Sequence, residues 1–506
     1  MIDRRIVALL GGAVVSVVGA CGNEGSSQTG PSSSSATGGG GDAAGTGGSG
    51  AVSDSSSQGG SNGAMRDAAD DGNRITAGGC SEMPARTGPP AGKEAFQILT
   101  SPDAHFPFTK HWVGIFSDDP RFVSSASLTD LDNDGDLDFA IAQQHRLTGG
   151  ANWYEYCGPD HWVKHHVGNG HRSVAAGGAF DVDADGFVDI LVGDSWYRNP
   201  KTPRTAGDWQ RFVIKPAGAL TGDLSTEELI VGDINNDKKG DALWLHTGLL
   251  PQWWTPGSDA TQEWTTGTRL TTDVAKIQRQ GGAIGDIDGD GKNDVLVGRE
   301  WWYRNVNGDG MMWEAIHIDP GADFTDEPLT YLGDLDGDMD TDIAMITHWG
   351  GEAGATVAWF ENTDKIGKAW TRHDLATGKG WLHDVVAADF DNDGDLDIFV
   401  GKNVGPQWIW ENTGDASADK TKLFVEHTVS GDWRGHEARV GDVDCDGDLD
   451  IVGKPWGDPN EGGEGSNPPR DVVYLQNMFV EKSGKPVFDR PNWITFNQAP
   501  PLTCKR

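Results

Sequence analysis

Short apolar runs separated by acidic turns recur along most of this chain. Before each turn comes a stretch such as Val174 to Phe180 or Val385 to Phe390. After it comes another, such as Ile190-Leu191-Val192-Gly193 or Ile398-Phe399-Val400-Gly401. Runs of this length, rich in branched residues and bounded by Gly and Asp, predict short buried strands. A third apolar run carries an aromatic signature, WYEY, WYRN, WWTP, WWYRN, WFEN or WIWEN, and ends the last copy as Val473-Tyr474-Leu475-Gln476-Asn477. A fourth contributes Trp162, Trp209, Trp264, Trp313 or Trp370. Four strands per repeat, repeated around a ring, describe the blades of a propeller.

The turns set the count. Seven nine-residue loops start at Asp130, Asp181, Asp233, Asp286, Asp334, Asp389 and Asp442, with spacings of 51, 52, 53, 48, 55 and 53. The fold expected is therefore all-β, a seven-bladed β-propeller with calcium-binding loops, spanning residues 92–500. Two segments could supply the strand that closes the ring, Phe108 to Phe116 (FTKHWVGIF) and Asn492 to Phe496 (NWITF), and the sequence does not choose between them.

Each loop places acids at alternate positions, which turns several carboxylates toward one point, as a calcium ion requires. Positions 1, 3, 5 and 9 are the expected side-chain ligands, with the acid at 9 able to bind through both oxygens and a backbone carbonyl serving at 7. They are Asp130, Asp132, Asp134 and Asp138; Asp181, Asp183, Asp185 and Asp189; Asp233, Asn235, Asp237 and Asp241; Asp286, Asp288, Asp290 and Asp294; Asp334, Asp336, Asp338 and Asp342; Asp389, Asp391, Asp393 and Asp397; Asp442, Asp444, Asp446 and Asp450. Gly at position 6 permits the positive φ of the bend. Up to seven calcium ions are expected, and the third loop, with Asn235, Lys238 and Lys239, is the weakest site. The fifth departs by carrying Met339 at position 6.

The formal charge of −37 excludes a nucleic-acid partner. It says little else, because 31 Asp lie in the loops. The first residues read as an export signal, residues 1–20, with Arg4 and Arg5 before an apolar run from Ile6 to Val18. Val18-Gly19-Ala20-Cys21 resembles a bacterial lipobox, which implies lipidation of Cys21 and a lipoprotein of the outer membrane or cell surface. Residues 21–80 form a Gly/Ser-rich segment without apolar periodicity, expected to be a disordered tether spanning roughly 40 Å. Of the remaining cysteines, Cys80 and Cys504 bracket the repeats, and a bridge between them is expected.

Opposite the loops, the first and second strands of each blade bring a rim of polar residues together. Ser124, Ala175, Glu227, Gln280, Pro328, His383 and His436 stand six residues before the loops. Blades 5 to 7 are richest. Their candidate catalytic groups are His383, His436, Lys402, Lys454 and Arg439: an imidazole as general base toward a carbon-bound proton, and a cation to hold the developing enolate. Glu327 with the two histidines could instead bind a metal. Trp349, Trp381, Trp433 and Trp456, beside His348 and Glu327, are the candidate ligand platform, since aromatic faces among polar groups suit a sugar ring. GxSxG, Walker A and HExxH motifs are absent from the chain.

The loops and their strand frame resemble the FG-GAP/VCBS repeat family, also found in the integrin alpha-chain head, whose members form seven-bladed propellers. The segment HEARVGDVDCDGDLDIVGKPW (His436 to Trp456), with WFEN and WIWEN, is similar to propellers related to aldos-2-ulose dehydratase, which act on sugar derivatives. That enzyme carries further cupin-type domains, which are not expected here after Phe496. The expectation is a monomeric, lipid-anchored head that binds carbohydrate or protein on the face opposite the calcium loops. The alternative is a sugar dehydratase, isomerase or polysaccharide lyase with its site at the rim of blades 5 to 7.

Overall fold

The computed structural model describes Cys80 and residues 103–480, apart from 116–122, 144, 174–176, 215–225, 247–249, 277–279, 322–328, 348–354, 404, 416–418, 434 and 455–470. The export signal, Cys21, the tether, Glu327, His348, Trp349, Trp456, the side chain of Trp433, Cys504 and Asn492 to Phe496 lie outside the described residues.

Seven antiparallel four-stranded sheets account for the strands. Blade 6 shows the plan: Leu382–Ala388, Asp397–Lys402, Gly405–Asn412 and Phe424–Trp433, paired in chain order. The first strands of successive blades adjoin one another in sequence order, and that of blade 7 adjoins that of blade 1, so the ring is closed. Closure falls to the N-terminal candidate. Thr109–Ile115 pairs antiparallel with Asp471–Gln476 and completes the sheet of blade 7 as its outer strand.

Burial follows the aromatic signature. Trp153, Trp196, Trp302 and Trp359 of the third strands, and Tyr154, Tyr197 and Tyr303 beside them, are fully buried. The last residue of that signature is an interblade clamp. Asn412 Nδ2 donates to the Leu335 carbonyl in the loop of blade 5 at 2.9 Å, while its backbone N–H donates to Asp397 at 2.8 Å. Asn199, Asn305, Asn362 and Asn477 bond the preceding loop in the same way, at 2.7, 2.8, 3.2 and 2.9 Å. Each Asn thus ties a blade to its own acidic loop and to the one before it. Asn412→Ala leaves a buried carbonyl short of its donor and is expected to destabilise the fold by about 1–3 kcal/mol, read from chemical denaturation with calcium present.

One covalent expectation is corrected. Cys80 is bonded to Cys157, at the end of the third strand of blade 1, with an S–S distance of 2.03 Å. Cys80 docks against blade 1, its N–H donating to Glu155 Oε1 at 3.1 Å, which brings it to Cys157 and not to Cys504.

Candidate functional site: acidic loops and channel rim

All seven loops share one backbone shape. φ is positive at position 6 in every loop, including Lys238 at 68° and Met339 at 70° where Gly is missing. It is also positive at position 4: Asn133, Ala184, Asn236, Gly289, Gly337, Asn392 and Cys445. The three Asn and two Gly among these tolerate the left-handed region, whereas Ala184 and Cys445 adopt it with no such preference of their own. In loop 6, Asp389 accepts N–H bonds from Asp393 and Gly394 at 3.1 and 3.2 Å. The same pair recurs in the third loop, from Asp237 and Lys238 to Asp233. The third loop therefore shares the bend of the others while carrying fewer acids.

The acid at position 9 has a second task. In every loop its Oδ2 accepts the N–H of position 2, at 2.9 to 3.1 Å. In six loops its Oδ1 accepts an N–H from the end of the third strand. Blade 3 is the exception because Pro256 stands at that place and has no N–H to give. In those six loops both oxygens are thus committed to the backbone, and only their remaining lone pairs are left for an ion. Burial pushes the carboxyls of Asp189 and Asp342 up to about 8, and those of Asp241 and Asp294 to about 7, against the bonds they accept. Asp132 is raised to about 7 by burial and by Asp134, with Arg204 opposing. Crowded carboxylates in this state suit a hard divalent cation, and the oxygen-only donor set fits calcium.

A charge rule at position 3 was not visible in the sequence. The third-strand residue before the clamp is Glu155, Arg198, Thr255, Arg304, Glu361, Glu411 and Gln476 in blades 1 to 7. Where it is Arg, it pairs with the position-3 acid directly: Arg198 with Asp183 at 2.6 Å, and Arg304 with Asp288. Where it is Glu, a base from elsewhere joins the acid. Arg204 lies 2.7 Å from both Asp132 and Glu155, and Lys420 bonds Asp336 in blade 5. In blade 6 that base is His105, 3.0 Å from Asp391 and 3.3 Å from Glu411. Blade 3 carries Asn235 and Thr255, uncharged at both places.

At the opposite ends of the inner strands, blades 6 and 7 bring the candidate catalytic groups together. The rings of His383 and His436 stack with centroids 3.2 Å apart. Lys454 Nζ lies 3.0 Å from His436 Nδ1 and 3.5 Å from Glu437 Oε1. His436 and Lys454 are each only 1% exposed. Burial pulls the Lys454 ammonium below its ordinary range, against Glu437 and Asp384, with Arg439 adding to the lowering. Burial raises the Asp384 carboxyl to about 8 although Arg439 and the Ala438 N–H stabilise its anion. Glu228, reaching in from blade 3, is raised to about 7 by burial, opposed by its bond from the Gly281 N–H at 2.7 Å and by Arg439. Arg439 thus stands among Glu228, Asp384 and Lys454.

Lys402 ends the second strand of blade 6, where Gln407 spans its N–H and carbonyl at 2.7 and 2.9 Å. Trp381 is 40% exposed with φ of 48°, and Glu437 has φ of 52°. Two non-glycine residues in the left-handed region at one rim mark a backbone held in place by its surroundings. Asp384, Glu228 and Glu437 belong to the site as much as the named bases do. Their positions beside the rim residues are readable from the repeat alignment, but their burial is not.

A seven-bladed propeller with a shared acidic loop in each blade is the class these features define. The family model described as FG-GAP-like repeat matches residues 334–400, from the loop of blade 5 to the second strand of blade 6. Those residues carry an FG-GAP-like repeat within a seven-bladed β-propeller. No curated protein matches the chain in sequence. Similar solved structures include a Bacillus licheniformis rhamnogalacturonan lyase PL11, at 12% identity and a TM-score of 0.39 over 76% of this chain and 74% of that one. Another is the rhamnogalacturonan lyase YesW, at 11% identity and 0.39 over 74% and 73%.

Proposed function

We propose that this propeller binds calcium in its loops and acts on a carbohydrate at the rim of blades 6 and 7 by moving a proton. The observation that carries this reading is the buried Lys454–His436 pair, 3.0 Å apart, with the amine below its ordinary range. When Lys454 is an ammonium it donates to an unprotonated Nδ1, and the neutral ring keeps its proton on Nε2. When Lys454 is neutral, Nδ1–H can donate instead. Such a pair can accept a proton from a carbon next to a carbonyl or carboxylate, and Arg439 supplies a permanent positive charge for the enolate that forms. Perturbed groups gathered at one end of a channel are a signature of such sites.

A second reading, a lipid-anchored binding head, is favoured by Trp381, an exposed indole two residues before His383 that could stack on a sugar ring. One experiment separates the two. The calcium-loaded protein is screened by thermal shift against neutral sugars and uronic-acid oligomers, and each hit is analysed for products. The enzyme reading expects conversion that falls by about 10²-fold or more in His436→Ala, with the thermal shift retained. An intact sugar that binds, and whose binding is lost in Trp381→Ala, leaves the binding head. Conversion unaffected in the His383, His436 and Lys454 variants removes the proposed site.

A further inference from the structure

We infer, resting on the calcium reading of the loops, that Arg198 and Arg304 are built-in competitors of calcium that hold down the affinity of the second and fourth sites. In the fourth loop Arg304 Nε bonds Asp288 Oδ2, and its Nη2 donates to Asp290 Oδ2 at 2.7 Å. Lys292 Nζ donates to the same Asp290 oxygen at 2.8 Å. The other oxygens of these two acids serve the backbone. Asp288 Oδ1 accepts the Asp290 N–H at 3.2 Å, and Asp290 Oδ1 accepts the Lys292 N–H at 3.1 Å. In the second loop Arg198 Nη2 lies 2.6 Å from Asp183 Oδ2 and 3.5 Å from Asp185 Oδ2, and Lys201 Nζ lies 3.1 Å from that same Asp185 oxygen. Positions 3 and 5 are expected calcium ligands, so in both loops two bases already face the oxygens an ion would take.

The arginines also stand where the loops are poorest in charge. Position 7 is Asp136, Asp340, Asp395 and Asp448 in loops 1, 5, 6 and 7, but Phe187 in the second and Lys292 in the fourth. Blades 2 and 4 are the two that carry WYRN, with Arg before the clamp asparagine. Four Asp against two bases leave a formal charge of −2 in each of these loops. In blade 1, five Asp and Glu155 against Arg204 leave −5; in blade 5, five Asp and Glu361 against Lys365 and Lys420 leave −4. Calcium affinity in oxygen sites follows the count of charged ligands. A missing acid and an added guanidinium lower it twice over.

The consequence is a ring of unequal sites. Ions would leave the second and fourth loops early as calcium falls, together with the acid-poor third loop between them. These three blades adjoin one another, and the rim site described above belongs to blades 6 and 7. Blades 1 and 5, with the larger charge, would keep their ions at calcium levels that empty blades 2 and 4.

Equilibrium dialysis of the full chain against calcium buffers counts the ions retained at each free calcium concentration. Arg198→Gln and Arg304→Gln should each move the half-saturation of one ion to free calcium at least about tenfold lower, the factor a unit charge roughly 5 Å from a divalent ion gives even at the dielectric of water. Arg198→Lys and Arg304→Lys keep the cation and should bind as wild type does. Arg198→Met and Arg304→Met, neutral but of similar length, should repeat the gain, which separates lost competition from a defect particular to one substitution. In chelator the neutral variants should melt below wild type, since their acids have lost a counter-charge; in saturating calcium they should melt with it. Half-saturation in the neutral variants that is unchanged, or moved to higher calcium, overturns the competition while the calcium reading stands. No calcium retained by wild type at millimolar free calcium overturns both.

Discussion

Removing calcium with a chelator at pH 8 is expected to lower the thermal midpoint of this protein by more than about 10 °C, because each loop bound at a hundredfold above its Kd adds about 2.7 kcal/mol. The loops sit between the first and second strands of the blades and are tied to the third through the position-9 acids, so losing the ions loosens every sheet at the same level. The pH dependence should reverse with occupancy. In the metal-free protein the carboxyls of Asp189 and Asp342 are raised to about 8. A carboxyl whose folded value is raised binds its proton more tightly in the folded state. Its contribution is greatest below the ordinary carboxylate range and is lost as pH rises through about 8. The chelated protein should therefore be more stable at pH 5 than at pH 8. The calcium-loaded protein should show the opposite order, since protonation of the loop acids releases the ion. Differential scanning fluorimetry at both pH values, with and without chelator, checks both signs. Identical midpoints with and without calcium would remove the metal from the account.

The other large effect belongs to Asp450, expected to cost about 3–6 kcal/mol as Asp450→Ala because three buried donors lose one acceptor. Its Oδ2 accepts the Val443 N–H at 2.9 Å and the Tyr474 hydroxyl at 3.0 Å, and its Oδ1 accepts the Asn477 N–H at 2.7 Å. Asn477 in turn clamps blade 7 to the Phe390 carbonyl of blade 6 at 2.9 Å. Blade 7 is also where the ring closes, so damage there should be transmitted to the pairing of Thr109–Ile115 with Asp471–Gln476. Guanidinium unfolding of Asp450→Ala beside Asp290→Asn, an exposed position-5 change, measures the difference. The loss in Asp450→Ala should persist in chelator, because these bonds are to the protein rather than to the ion.

The loops were legible because alternating acids, a Gly and a fixed spacing repeat seven times, and repetition separates signal from composition. The clamp was half legible. The terminal Asn of WYRN, WFEN and WIWEN recurs in the sequence, but its bond to the preceding blade exists only once the blades are packed. Position 4 escaped notice since Ala184 and Cys445 have no intrinsic preference for positive φ. His105 escaped it too, because it lies far in sequence from Asp391 and Glu411 and outside the repeat.

Strand class, blade number, the acidic loops and the residues gathered at one rim are all written in the linear order of the chain. Each of these follows from local periodicity and from spacing, which survive in one dimension. That the N-terminal strand closes the ring, that Cys80 bonds Cys157 and that Lys454 lies buried against His436 emerge with folding. These outcomes depend on which distant segments meet and how much water they exclude. Burial and cross-blade distance are properties of the closed ring, and no single repeat contains them.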